Sequence, residues 1–412
     1  MNYHPVDEIK GDKSSELNGV NVALCVTGSV AAYKAIDLAR ELIKRGANVR
    51  FIATRQALKF VTKTLMHWAS GLKPIVEGSG ETEHIAVAGR SGWANIVVVA
   101  PATANTICKL ANGVSENVVM DVLTTALGSG KPIVAAPSMH FDMYNSPIVK
   151  SCIEKLKSMR IAIAEPYMEN GRLKMAPIDE ITDLIEDVLN PIPDLRGLKV
   201  LVTAGPTREY LDPVRFMSNA SSGRMGYAFA SLCINNGACV YLVSGPTEVK
   251  PPRGVNLTKV NTTSEMLEKC IEIANKVKPD LAILAAAPAD FQFEVKFSDK
   301  VNSSMSLNLT LKPTPKIAKS LRELLPKSVI IGFKAEYGVS DEELLRRAEM
   351  RMKEYGLDLV VANDVSKPGV GFGSELNEGY LISKSGISRI ERMNKRSMAR
   401  LVLRRAVELL RR

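Results

Sequence analysis

Short continuous apolar runs, each followed by a segment with helical apolar spacing, recur through almost the whole chain. In the first half the runs are Val20–Thr27, Asn48–Ala53, Ile96–Val99 and Lys131–Ala135. Strands that read as unbroken apolar runs between helices belong to a parallel sheet covered on both faces, because a strand with one wet face would alternate. Ala31–Arg45 spaces Ala32, Ile36, Leu38, Ala39, Leu42 and Ile43 along one helical stripe and stops at Gly46-Ala47. After a helical segment at Ile178–Leu189 the pattern breaks at Asn190-Pro191-Ile192-Pro193-Asp194. Two closely spaced prolines resist both a helix and a central strand. The pattern then restarts with strand Lys199–Thr203, helix Arg224–Asn236, strand Cys239–Val243, helix Ser264–Lys276 and strand Leu281–Ala285. Two tandem doubly wound α/β domains are therefore expected, 1–190 and 191–412, which suits 412 residues at ~100–200 per domain. The less regular stretch Ala285–Leu311, with alternation over Met305–Leu311, predicts a β-arm or flap on the second domain.

Composition narrows the function classes. No apolar run approaches the ~20 residues of a membrane span, and the polar N-terminus has no apolar signal-peptide core. A soluble cytoplasmic protein with no membrane partner is expected. Of the six cysteines (Cys25, Cys108, Cys152, Cys233, Cys239, Cys270) none forms a CxxC pair, so they read as reduced, mostly buried small hydrophobes. The net charge of +10 invites a nucleic-acid reading, but it is concentrated: Arg389–Arg412 holds nine Lys/Arg against two Asp/Glu. That tail reads as a helix with Ala399, Val402, Leu403, Ala406 and Leu410 on one face, hence a packed terminal helix with a solvated basic side and no nucleic-acid partner. A positive surface still attracts phosphorylated or nucleotide substrates.

Several turns carry chemistry. After the first strand, Thr27-Gly28-Ser29 offers one glycine and no G-x-G-x-x-G, which argues against a two-domain NAD(P) oxidoreductase and fits a single phosphate at a helix start. Thr103, Asn105 and Thr106 follow the strand Ile96–Val99; they suit hydrogen bonding to a ring near the backbone, and equally helix capping. Of the four histidines, His84 lies just before a helical stretch and His140 just after a strand, positions compatible with acid–base or carboxylate-binding work. In the second half, Leu201–Gly226 runs from a strand through Ala204-Gly205-Pro206-Thr207 to Ser221-Ser222-Gly223 at a helix start. Its exposed backbone N–H groups suit a phosphate, with Asn219, Ser221, Ser222 and Arg224 adding donors; by shape alone it fits an ordinary βα turn of a doubly wound sheet rather better. Asp290, Lys300, Lys316 and Phe333 punctuate the irregular region; they fit nucleotide chemistry or an ordinary charged loop.

Taken together these segments resemble the bifunctional phosphopantothenoylcysteine decarboxylase / phosphopantothenate–cysteine ligase family of coenzyme A biosynthesis, over nearly the whole chain. TAGPTRE, DPVRF, the SSG turn, AAAPADF, Gly332–Glu336 and Val361–Val365 resemble the ligase half. VTGSVAAYK, HIAVA, PATANT and the P-x-M-x-x-x-M of Pro137–Met143 resemble the flavin-dependent decarboxylase half. The resemblance implies tandem Rossmann-like domains, a flavoprotein decarboxylase-type domain and then a ligase domain. It implies FMN in the first, with Gly28, Ser29 and Thr54 around its phosphate, Thr103, Asn105 and Thr106 around ribityl and ring, His84 in decarboxylation, and Ser138, Met139 and Met143 facing substrate. It implies that the ligase half joins 4′-phosphopantothenate to cysteine through an acyl-cytidylate made with CTP and Mg²⁺. Asn219 matches the asparagine on that intermediate, and Asp290, Lys300, Pro315, Lys316, Ile317, Ala318, Phe333 and Arg351 match nucleotide positions. The product would then be oxidised at its thiol-bearing carbon and lose carbon dioxide, giving 4′-phosphopantetheine.

The chain departs from the bacterial pattern in three places, as an archaeal-like branch would. His140 stands in place of an asparagine that holds the substrate carboxylate. The flap Glu165–Met175 has no cysteine to protonate the enethiol, which turns attention to Tyr167 and Lys174. Lys300-Val301-Asn302-Ser303 keeps one lysine of K-I-K-K, and Tyr355 stands at a second lysine position. The resemblance also implies trimeric contacts between decarboxylase halves and dimeric contacts between ligase halves, hence a higher homo-oligomer, up to a dodecamer.

Overall fold

The computed structural model describes residues 4–192, 195–304, 306–371 and 373–411. The chain divides into two compact units, Met1–Pro191 and Ile192–Arg412. Of the proline-rich break, Pro193 and Asp194 lie outside the described residues.

The first unit is built on five parallel strands: β1 (Asn21–Val26), β2 (Asn48–Ala53), β3 (Ile96–Ala102), β4 (Ile133–Pro137) and β5 (Ala162–Ile163), in the order β2-β1-β3-β4-β5. β1, β3 and β4 are buried along almost their whole length. Helix Lys34–Lys44 packs Leu38, Leu42 and Ile43 on one face of the sheet, and helix Val118–Ser129 packs Val122 and Leu123 on the other. The segment expected as one helix from Ala31 begins instead with a 3₁₀ turn, Val30–Tyr33, capped by Ser29. The chain leaves β1 for β2 on one side and returns through β3 on the other. The crevice beyond the carboxyl ends of β1 and β3 is therefore where such a sheet holds a ligand. A two-stranded flap follows, β6 (Tyr167–Glu169) against β7 (Arg172–Lys174). Its two-residue turn is Asn170-Gly171, both at positive φ, which tight hairpins demand.

The second unit repeats the logic on a larger sheet. β8 (Lys199–Ala204) is central. β9 (Arg208–Tyr210) and β10 (Phe216–Ser218) form a small hairpin beyond it. β11 (Cys239–Ser244), β12 (Asn256–Lys259) and β13 (Leu281–Leu284) join β8, while β14 (Phe291–Phe293) and β15 (Leu311–Pro313) form a separate arm. β16 (Val329–Glu336) and β17 (Leu359–Asp364) continue the parallel sheet, and β18 (Leu376–Ser383) and β19 (Gly386–Asn394) add antiparallel strands. The order is β12-β11-β8-β13-β16-β17-β18-β19, so the chain reverses between β8 and β13.

Two expectations change here. The arm exists, but it pairs Phe291–Phe293 with Leu311–Pro313. Residues 306–310 form no strand, and Met305 lies outside the described residues. The basic tail is not helical from Arg389: residues up to Asn394 complete β19, whose Arg389, Glu391 and Arg392 face solvent at the sheet edge. Helix Lys395–Leu410 follows and buries Ala399, Val402, Leu403 and Ala406, as its spacing required. Four of the six cysteines are buried, but Cys239 is exposed. No helix among the described residues is long and apolar enough to cross a membrane.

Candidate functional site

In the first unit the crevice between β1 and β3 opens as a cavity of about 400 Å³. Small-molecule sites span ~300–1,000 Å³. Gly28, Ser29, Thr54, Thr103, Asn105 and Thr106, the six residues expected at a cofactor, all line it, together with Ser138, Met139 and Met143. Each polar group is placed by a local bond. Ser29 accepts from the N–H of Ala31, and its Oγ lies 3.2 Å from that of Ser138. Thr54 accepts from Ala57 N (3.2 Å). Thr103 caps helix Ala104–Ala111 by accepting from Thr106 N (3.3 Å), and the two hydroxyls are 3.0 Å apart. Capping and cavity lining are thus the same residues doing both. Behind them, buried Thr27 donates to the Pro101 carbonyl (2.7 Å) and locks the β1 turn to β3. Gly28 is needed by space: a Cβ there would lie 2.7 Å from the Cβ of Gln56.

Gln56, Lys109, Glu116, Asn117, Val119 and Met120 complete the wall, and sequence reasoning missed them. Lys109 and Glu116 form an ion pair. Asn117 accepts from Val119 N and Met120 N as the cap of helix Val118–Ser129. An asparagine just before an apolar helical run was the available signal for that cap.

The histidines stand apart. His84 sits inside the first turn of helix Glu83–Ala88, rather than before it, and does not line the cavity. His140 caps helix Phe141–Asn145 through Nδ1 (3.4 Å to Asp142 N), lies 3.3 Å from the Asp142 carboxylate and is largely exposed. On the flap, Tyr167 pairs across the hairpin with Lys174.

In the second unit, the loops after β8 and β13 meet at the point of chain reversal. Asn219 donates from Nδ2 to the carbonyls of Ala287 (3.2 Å) and Pro288 (2.9 Å). The next loop residue, Ala289, donates its N–H to Thr207 Oγ1 (2.8 Å) and accepts from Thr314 (2.6 Å). Asp290 follows, with Lys316 Nζ 2.6 Å from its carboxylate. Asn219, Asp290 and Lys316 are thereby brought to one loop cluster, with Pro315 beside Lys316. Ile317 and Ala318 open helix Ile317–Leu324, and the Ile317 side chain is buried in the core. Phe333 rests edge-on against Phe229 at 5.9 Å. Lys300 is exposed on a segment pinned where Val301 N donates to Asp212 (3.2 Å). Three backbone N–H groups, those of Val214, Arg215 and Val301, hold the buried Asp212 carboxyl below its usual range against the opposing effect of burial. Arg351 stacks on the Tyr355 ring (4.8 Å) on helix Asp341–Tyr355, and no bond joins it to the cluster. Among the described residues no three His, Cys, Asp or Glu side chains gather as a metal cage.

The family described as flavoprotein matches residues 10–190, and the DNA/pantothenate metabolism flavoprotein C-terminal domain matches residues 195–410. The coenzyme A biosynthesis bifunctional protein CoaBC of Thermococcus kodakarensis is 42% identical over 397 residues, covering 96% of this chain and 97% of that protein. Its counterparts from Methanocaldococcus jannaschii (36% identical; 97% and 96% covered) and Bacillus subtilis (34%; 90% and 93%) are also similar. Among solved structures, a C-terminal domain of CoaBC is 34% identical over 52% of this chain and 97% of its own, with TM-score 0.44. The FMN binding protein AtHal3 is 26% identical over 40% and 94%, with TM-score 0.35.

Proposed function

Since the chain belongs to the CoaBC family of bifunctional coenzyme A biosynthesis proteins, we propose that its two units carry the family's two reactions at the two crevices described above. The second unit joins 4′-phosphopantothenate to cysteine at the expense of CTP, and the first decarboxylates the 4′-phosphopantothenoylcysteine formed, with FMN. The observation that carries this reading is the convergence of six residues from three separate segments on one cavity at the β1/β3 crevice.

The residues present fit FMN. Ser29, Thr54, Thr103 and Thr106 offer hydroxyls, three helix or 3₁₀ starts present N–H groups suited to a phosphate, and Gly28 lets the backbone approach closely. Bound flavin supplies a two-electron acceptor and donor for the thiol-bearing carbon of the substrate. This chain's own residues orient that carbon: Ser138, Met139 and Met143 wall the substrate side. His84 and His140 act on the substrate carboxylate from outside one copy's cavity. Val30, Tyr33 and Trp68 are large apolar side chains left exposed, which supports a neighbouring copy completing the site in the trimeric contacts of a larger homo-oligomer. Tyr167 or Lys174 on the flap supplies the last proton.

In the ligase unit a carboxylate is a poor acceptor for an amine, and transfer to a cytidylate gives it a leaving group. Lys316, Lys300 and Arg351 offset phosphate charge, Phe333 and the Pro315–Ala318 turn border the nucleotide, and Asn219 holds the acyl-cytidylate. Mg²⁺ would be held chiefly by the triphosphate and water, which needs one or two protein carboxylates at most; Asp290 is the carboxylate the loop cluster offers, and Lys316 would have to release it.

Reconstitution tests the first unit. Purified protein incubated with FMN is expected to turn yellow and keep one flavin per chain through desalting; protein that stays colourless would remove the decarboxylase reading. Pyrophosphate release that requires phosphopantothenate and CTP together is the expected signature of the second unit, and its absence removes the ligase reading.

A further inference from the structure

Thr207 lies in the turn after β8 and is completely buried. A buried hydroxyl in a turn needs partners, and this one has them on two elements far away in sequence. Its Oγ1 accepts from the N–H of Ala289 at 2.8 Å and lies 2.8 Å from Oγ1 of Thr263, at the start of helix Thr263–Val277. That helix start is fixed in turn by Glu209, a buried carboxylate that accepts from Thr263 N at 2.8 Å. The carbonyl of Thr207 accepts from Ser218 Oγ (2.7 Å), the residue beside Asn219. Thr207 therefore touches both halves of one unit of geometry: the strand end that carries Asn219, and the 287–290 loop on which the Asn219 carboxamide rests.

We propose that Thr207 is a positioning residue for the ligase reaction, its hydroxyl setting the height of the 287–290 loop and, through the Ala287 and Pro288 carbonyls, the aim of Asn219. Both Nδ2 hydrogens of Asn219 are taken by those carbonyls, so the carboxamide offers Oδ1 to a ligand and cannot reorient without breaking two bonds. A shift of the loop moves Asn219 and Asp290 together. Misplacing a reacting group by about 1 Å lowers rate by roughly a hundredfold. The assignment rests on the ligase reading of the second unit.

The test uses the full-length, FMN-loaded chain. Thr207→Val keeps the volume and removes the hydroxyl; Thr207→Ser keeps the hydroxyl and removes a methyl. Thr207→Val is expected to lower ligase kcat at least tenfold with KM for CTP changed less than threefold, while Thr207→Ser stays within threefold of the parent. Hydrogen exchange at the Ala289 amide is expected to quicken at least tenfold in the valine variant alone. Decarboxylation of supplied 4′-phosphopantothenoylcysteine is expected to be unchanged in both. Parental ligase kcat in Thr207→Val overturns the proposal, as does an equal loss in both variants, which would assign the effect to packing. If the valine variant fails to fold, the serine variant decides: a tenfold loss there overturns the proposal and a parental rate sustains it. A parent chain with no ligase activity would instead refute the ligase reading itself.

Discussion

Gly245→Ala is expected to unfold the second unit at temperatures where the parent is native. Gly245 follows β11 and runs directly under the turn after β8: a Cβ on it would lie 1.7 Å from the Pro206 carbonyl oxygen and 2.8 Å from the Pro206 carbonyl carbon. The obstacle is backbone, so no rotamer change relieves it. The turn cannot move away either. A Cβ on Gly205, at φ +76°, would lie 3.1 Å from the Gly245 carbonyl oxygen, and one on Gly223, at φ +78°, would lie 3.3 Å from Gly205 Cα, so backbone surrounds the turn. Gly226 completes the crossing, since a Cβ there would meet the Ala204 Cβ at 2.5 Å. Forcing an atom into so tight a crossing costs on the order of 4 kcal/mol, at the far end of single-substitution effects. For a unit of this size that lowers the melting temperature by roughly 8–16 °C. Thermal melting of the second unit followed by circular dichroism measures it. A shift under about 2 °C would mean the crossing can open.

The second large effect lies at Arg45, in the first unit. Its guanidinium is buried where the helix Lys34–Lys44 ends and meets the helix Ile178–Leu189. It binds Glu41 (3.1 Å), Asp183 (3.0 Å) and Glu186 (2.8 Å), with Asp179 at 3.5 Å. Arg45→Met keeps much of the apolar stem and removes the cation that reaches all four carboxylates, while Lys13 stays 2.6 Å from Glu41 and 3.3 Å from Asp179. Deleting one side of a buried ion pair costs about 3–5 kcal/mol, because the remaining charge stays desolvated. The loss has a pH signature. Burial pushes the Glu186 carboxyl up to about 7, against the attraction of Arg45, with Glu16 and Asp183 adding repulsion. A carboxyl whose folded pKa exceeds its unfolded value near ~4.3 binds its proton more tightly in the native state. Its contribution to stability is therefore complete below that unfolded value and declines as pH rises through about 7. Without Arg45 the push upward is larger, so the variant is expected to lose more stability at pH 8 than at pH 5.5. Urea unfolding at the two pH values gives the comparison, and an equal loss at both would contradict this account of Glu186.

What the sequence reveals of this fold follows from how each element is buried. Ile96–Val99 and Leu281–Leu284 are legible because both faces of a central parallel strand are dry, which leaves an unbroken apolar run. Helix Ile178–Leu189 is legible because one stripe alone is buried. β19 is not: as the edge strand it carries Arg389, Glu391 and Arg392 in water, and its charges merge with those of the helix that follows. At the sites, the Thr103–Thr106 turn was visible since a strand end and a helix cap are local patterns. Lys109 and Glu116 were not: Lys109 lies in the last turn of the helix after that cap, and only the path of the loop after residue 111 brings Glu116 back to it at the cavity wall. The Thr207 network was equally hidden, joining residues 56 and 82 positions apart. Ile317 shows the opposite limit. A motif match assigns it to a nucleotide, while its side chain helps fill the core.

The cavity of the first unit is ringed by Ser29, Thr103 and Asn117, each the residue that starts a helical segment. The attraction such a ring exerts on an anion comes from aligned peptide groups, not from a side-chain charge. Ser, Thr and Asn are nearly interchangeable as caps, so exchanging one for another leaves the sign of the field in the cavity fixed. On the FMN reading proposed above, the part of the affinity that comes from these helix starts would be stored in the main chain, where substitution of single side chains reaches it least.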